Sequence, residues 1–169
     1  SSEDTGEATT TGTLTFSPLN WDTPQTITIT GVDDDIIDGS INSNTVIAVI
    51  DEISDDSFDA VADQTVSVTT TDDDVAGFTI VESNGSTSVD ESGTTDTFTI
   101  VLDAQPTSDV VISISSEDTG EATTTGTLTF SPVNWDTPQT ITITGVDDDI
   151  IDGSVTSTIT ISVVDASSN

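Results

Sequence analysis

The chain has 169 residues, a formal net charge of −32 and not one Lys, Arg or His. Phosphate backbones and anionic membrane surfaces are recognised through cationic side chains, so nucleic acid and acidic lipid are excluded as partners. There is no Cys for a disulfide, no Lys for an isopeptide staple, and no apolar run near the ~18 residues of a spanning helix.

Hydrophobic residues make up 32% of the chain and aromatic ones 4%. High charge with so little apolar content usually marks disorder, but here the apolar residues alternate with Thr in short runs. The run through Thr26, Thr28 and Thr30 leads into Asp33-Asp34-Asp35, and its Thr-rich side reads as an exposed strand face. Ile47-Ala48-Val49-Ile50 is next, and Val66 with Val68 marks a closing strand. Phe78 with Ile80, Phe98 with Ile100 and Leu102, and Val110 with Ile112 and Ile114 mark three more. Leu128 with Phe130, Ile141 with Ile143, and Ile159 with Ile161 and Val163 complete the series. Apolar residues at every second position predict strands with one buried and one wet face, and Thr, Val and Ile suit a pleated sheet. Turn clusters such as Ser83-Asn84-Gly85 and Ser131-Pro132-Val133-Asn134 separate the runs. No helical period of useful length is present.

Residues Ser1 to Ser40 recur as Ser115 to Ser154 with a single difference, Leu19 against Val133. A period of 114 residues, Ser115 standing where Ser1 stood, suits a single sandwich domain of about seven strands. The predicted fold is all-β, with tandem Greek-key β-sandwich modules. Residues 1–74 supply the C-terminal two-thirds of one module, and residues 75–169 supply most of the next without its last strand. The remaining strands are expected either from the same polypeptide or from another chain by strand addition. Thr69 to Val75 is not a flexible linker, so consecutive modules are expected to follow closely. Trp21 and Trp135 are expected to cap one end of the core.

The acids gather in loops. Asp33, Asp34, Asp35 and Asp38 recur as Asp147, Asp148, Asp149 and Asp152. Asp72, Asp73 and Asp74 close the first module, while Asp90-Glu91 and Glu117-Asp118 (Glu3-Asp4 in the first copy) lie in two further loops. Crowded carboxylates repel one another unless a cation sits among them. Ca²⁺ takes 6–8 oxygen ligands in irregular loops, whereas zinc and copper favour the absent His and Cys. Solvated surface acids are the plain alternative for any one cluster. The spacing is not that of an EF-hand. With no His, Cys, Lys or Tyr, acid–base and nucleophilic chemistry would fall to carboxylates and unassisted hydroxyls, and no enzyme is expected.

The runs Ile141-Thr142-Ile143-Thr144-Gly145-Val146-Asp147-Asp148-Asp149, Asp72-Asp73-Asp74-Val75-Ala76-Gly77 and Val89-Asp90-Glu91-Ser92-Gly93 together resemble Calx-beta modules. Asn134-Trp135, Thr137-Pro138-Gln139-Thr140 and Asp147-Asp148 are similar to signatures of Calx-beta-like repeats in large bacterial surface proteins. The resemblance implies a seven-stranded sandwich that binds Ca²⁺ in loops at one end. It implies ligands at Glu91, Asp118, Asp147, Asp148, Asp149 and Asp152 in the second module. In the first, the matching ligands are Asp4, Asp33, Asp34, Asp35, Asp38 and Asp72 to Asp74. The chain departs from the family pattern after the Asp run, where Asp152-Gly153-Ser154 brings no further acid. The expected role is a Ca²⁺-stiffened spacer in a secreted, cell-surface adhesin or filament. Its partners would be neighbouring modules of one array and other copies in a fibre. A binding module for glycan or a partner chain is the alternative.

Overall fold

The computed structural model describes residues 1–151 and 153–165, and it is all-β. Its strands form small antiparallel sheets, and among the described residues the helical content is three single 3₁₀ turns at Asp51–Ile53, Asp56–Phe58 and Ser83–Gly85. None of the described residues forms a helix long and apolar enough to cross a membrane. The chain divides into two compact units, one of Ser1–Asp34 with Asp38–Asp73, the other of Asp35–Ile37 with the residues from Asp74 onward.

The second unit carries the apolar core. It comprises β5 (Phe78–Glu82), β6 (Thr95–Leu102), β7 (Val110–Ser116), β8 (Ala122–Thr124), β9 (Thr127–Phe130), β10 (Gln139–Gly145) and β11 (Ile159–Val163). One sheet runs β5-β6-β10-β8 and the other β11-β7-β9, with all neighbours antiparallel. In β6 and β10 the alternation expected from sequence turns Phe98, Ile100, Leu102, Ile141 and Ile143 inward, where Phe98 pairs across with Ile141. Ile112 and Ile114 of β7, Phe130 of β9 and Ala122 of β8 join the same cluster. Burying a side chain of this size stabilises by about 1.5–3 kcal/mol, and Ile100, Ile112, Phe130 and Ile141 are fully inaccessible. Gly145 is required at the end of β10, because a Cβ there would overlap the carbonyl of Asp90. Trp135 packs against the core as expected.

The first unit holds β1 (Ala8–Thr10) paired with β2 (Ile29–Gly31), and β3 (Ile41–Ile47) paired with β4 (Gln64–Thr70). These are two-stranded sheets, and here several expectations fail. The strand expected through Thr26, Thr28 and Thr30 is confined to three residues at its end. The strand expected around Ile47 to Ile50 begins earlier and stops at Ile47. Trp21 is 71% exposed and caps nothing, and Val66 of β4 is 45% exposed. The cause is pairing, not local sequence. In the second unit β10 lies against β6, and β9 lies against β7. Among the described residues the first unit has no counterpart of β5 or β6, and only Ser1 and Ser2 match part of β7, Ser2 bridging Thr45 as Ser116 pairs with Ile159. Phe16, with the same neighbours in sequence as Phe130, is therefore 54% exposed where Phe130 is 0%.

The pair gives a direct test. Phe130→Ala should destabilise the second unit by about 3–5 kcal/mol, while Phe16→Ala should change stability by no more than about 0.5 kcal/mol. Urea unfolding of each variant measures both; equal costs would contradict the assignment of the core.

Candidate metal centre

The turn before β1 is set by backbone hydrogen bonds. The Asp4 carbonyl accepts from the Ala8 amide at 3.1 Å, and the Asp4 carboxylate accepts from the Gly6 amide at 3.1 Å. Glu7 follows, half-buried, with its carbonyl accepting from the Val32 amide at 2.8 Å and from the Thr70 hydroxyl at 3.2 Å. These bonds fix Glu7 beside the segment that leaves β2, which carries Asp34 and then Asp38. A carboxylate oxygen from each of Glu7, Asp34 and Asp38 lies within 4.8 Å of the other two. Asp72, just beyond β4, braces the loop by accepting from the Asp38 amide at 3.0 Å and the Gly39 amide at 2.7 Å. Gly39 has φ 79°, a left-handed turn that glycine adopts without strain.

The electrostatics follow from this crowding. Burial raises the pKa of Glu7 above its ordinary value, and the charges of Asp38, Asp4, Asp34 and Asp72 raise it further. Ionised, the group is a cluster of oxygen donors in a chain that has no cationic side chain. Such a donor set fits a hard cation, and Ca²⁺ in particular, whose remaining ligands can be carbonyls and water. Glu7, Asp34 and Asp38 would hold it, and Asp72 would keep the loop closed around it.

Of the expected first-unit ligands, the structure brings Asp34 and Asp38 together and uses Asp72 and Asp4 in support. Asp33, Asp35, Asp73 and Asp74 are not in the cluster; Asp35 and Asp74 belong to the second unit. Glu7 was missed, because it stands alone in Gly6-Glu7-Ala8 and not in an acidic run. Its recurrence as Glu121 is no special signal, since nearly forty neighbours recur with it.

In the second unit the backbone frame is repeated. Glu121 accepts from the Val146 amide through its carbonyl at 2.9 Å, and Asp118 accepts from Gly120 at 3.1 Å. Asp148, the counterpart of Asp34, accepts from the Ile150 amide at 2.7 Å. Asp147 and Asp149 are exposed and Glu91 is half-buried. Among the described residues no three acids of this unit converge. Asp152, the counterpart of Asp38, lies outside the described residues.

Other acids serve as turn braces. Asp96 accepts from the Ser83 hydroxyl and from the Ser88 and Thr97 amides at 2.8 and 2.7 Å, and these bonds lower its pKa. Asp90, bonded to Ser92, and Asp55, bonded to Ser57, are lowered in the same way. No protein-family model matches the chain, and no curated protein or solved structure matches it.

The two kinds of acid have opposite linkage to folding. A lowered carboxylate stabilises above its ordinary value of 3.8, and that contribution is lost as pH falls through the depressed value. Glu7, raised above 4.5, stabilises only below that value, and its contribution is lost as pH rises through the raised one. In chelator at pH 7, Glu7→Gln should therefore raise the urea midpoint of the first unit. Asp96→Asn should lower that of the second. The reverse signs would contradict the electrostatic account.

Proposed function

We propose that this chain is a stretch of Ca²⁺-stiffened structural repeats from an extracellular or cell-surface filament or adhesin. The observation that carries the reading is the convergence of Glu7, Asp34 and Asp38, braced by Asp72, in a chain with no cationic side chain to neutralise them. The finer architecture proposed is a Greek-key sandwich of about seven strands, repeated every 114 residues and similar to a Calx-beta module. Support comes from two antiparallel sheets sharing one apolar cluster and from the recurrence of Ser1–Ser40 at Ser115–Ser154. The repeat's role is to span distance, not to catalyse. Its partners are further repeats of the same kind.

Ca²⁺ also explains where such a chain is stable. Sites of micromolar or weaker affinity fill in extracellular Ca²⁺ and empty in the cytosol, so the fold tightens where it is used.

Binding to the folded but not the unfolded chain stabilises by RT ln(1 + [L]/Kd), about 3–4 kcal/mol at 100–1,000 times Kd. Millimolar Ca²⁺ should raise the melting temperature of chelator-treated protein, and Asp34→Asn with Asp38→Asn should abolish the increase. Identical melts with and without Ca²⁺ would sink the reading. Limited proteolysis offers an independent readout. Trypsin has no site in this chain, whereas a protease cutting after acidic residues should cleave the Asp33–Gly39 loop faster in chelator than in Ca²⁺.

A further inference from the structure

Asn84-Gly85-Ser86 is the one place in the 169 residues where Asn is followed, after a residue other than Pro, by Ser or Thr. That spacing is the acceptor motif for N-linked glycans. The sugar is bulky and hydrated, so the motif can serve only where it faces solvent. Asn20 and Asn134 are each followed by Trp-Asp, Asn42 by Ser-Asn and Asn44 by Thr-Val.

Side-chain bonding sets Asn84 apart from these four. Asn20 and Asn134 each accept from the amide and the hydroxyl of the Ser three residues back. Asn42 accepts from the Thr69 hydroxyl at 2.6 Å, and Asn44 donates to the Glu3 carboxylate at 3.0 Å. Their side chains are committed to the fold. Among the described residues, Asn84 and Ser86 are exposed, and neither the Asn84 side chain nor the Ser86 hydroxyl makes a hydrogen bond.

The turn that follows β5 carries both groups outward. Asn84 and Gly85 have left-handed backbone, with φ 53° and 78°, which Asn and Gly tolerate best. The Ser86 amide closes the turn on the Ser83 carbonyl at 3.3 Å. Asp96 holds both flanks, accepting from the Ser83 hydroxyl and the Ser88 amide. The turn is thus made by backbone at 84–86 and by side chains outside the motif. We propose that Asn84 is an acceptor for an N-linked oligosaccharide. In the transfer, Asn84 Nδ2 bonds to the anomeric carbon of a sugar carried on a lipid pyrophosphate. The bond from that carbon to the pyrophosphate oxygen breaks, the lipid pyrophosphate leaves with the electron pair, and Nδ2 gives one proton to a base of the transferase. The Ser86 hydroxyl is the group that the transferase recognises. Transfer from a lipid carrier takes place on exported chains, so the assignment rests on the extracellular reading proposed above, but not on Ca²⁺.

The test secretes the full chain from a cell that N-glycosylates its exported proteins. Cleavage after Glu82 and Glu91 then releases residues 83–91 for mass spectrometry. The peptide should carry whole hexose and N-acetylhexosamine units, and a peptide-N-glycosidase should remove them and leave Asp in place of Asn84. Ser86→Ala should abolish the addition and Ser86→Thr should keep it. Both variants should melt as the parent chain does, because the turn uses the Ser86 amide and not its hydroxyl. Asn84→Gln should also abolish the addition, but it replaces a residue suited to the left-handed turn, so the Ser86 pair decides. A bare peptide from the secreted chain, or a glycan that survives Ser86→Ala, would overturn the proposal. The same peptide from the organism that makes the chain separates this proposal from the extracellular reading. Found outside the cell and bare, it overturns the glycan and leaves the location standing. Chain found only inside the cell overturns the location, and the secreted chain then decides whether Asn84 is an acceptor.

Discussion

Thirty-two carboxylates must be accommodated without one ammonium, guanidinium or imidazolium side chain, and the rest of the structure is arranged around that constraint. Charge of one sign cannot be buried or paired, so it is handled by the weaker donors a polypeptide always has. Backbone amides and hydroxyls at turns take the place of salt bridges. Asp4 and Asp118 each hold the amide two residues on, as do Asp55, Asp90 and Asp148. In this arrangement an acid closes the turn that follows it, and its charge is partly satisfied where the strands end. The sheets between are built from Val, Ile, Phe and Thr and carry little charge. Loops and strands thus divide the chemistry cleanly, with electrostatics at the ends and hydrophobic burial in the middle. Glu7, Asp34 and Asp38 are where acids from separate segments are brought together. Their carboxylates come within 4.8 Å of one another.

The all-β class could be read from the sequence because period-2 alternation is a direct image of a half-buried strand. Phe98, Ile100 and Leu102, or Ile141 and Ile143, need no partner to be recognised as one face. Less was legible where the inward residue is small. β8 and its counterpart β1 turn only an Ala inward, and three residues of Ala-Thr-Thr carry no pattern that distinguishes them from the surrounding Thr-rich loop. Solvent exposure in the first unit was not legible at all. Phe16 and Trp21 have the same neighbours in sequence as Phe130 and Trp135, so nothing local separates a buried ring from an exposed one. The difference is made by β6 and β7, which are remote in sequence. The acidic site was half legible for a related reason. Runs such as Asp33-Asp34-Asp35 mark the right loop, but which of their members converge depends on the turn at Gly39 and on the placement of Glu7. A lone Glu in a Thr-rich segment gives no sign of that.

The two copies of the forty-residue segment are an internal experiment on context. Their one difference falls where both side chains point to solvent, Leu19 at 96% and Val133 at 90% exposure, so it cannot account for two conformations. Tertiary pairing decides, and propensity only permits.

Near-identity has a consequence for synthesis. Gln25–Gly31 has the same seven residues as β10, and it precedes β6 in the chain, whereas β10 follows it. As the polypeptide emerges, β6 meets the early copy of its partner before the proper one has been made. The ladder it can form with Gln25–Gly31 offers the same side-chain pairs as the final one, and it must be given up when β10 arrives. Competition of this kind between like segments is a source of slow phases and trapped intermediates in repeat proteins. The exactness of the repeat therefore works against the speed with which each copy finds its own strands.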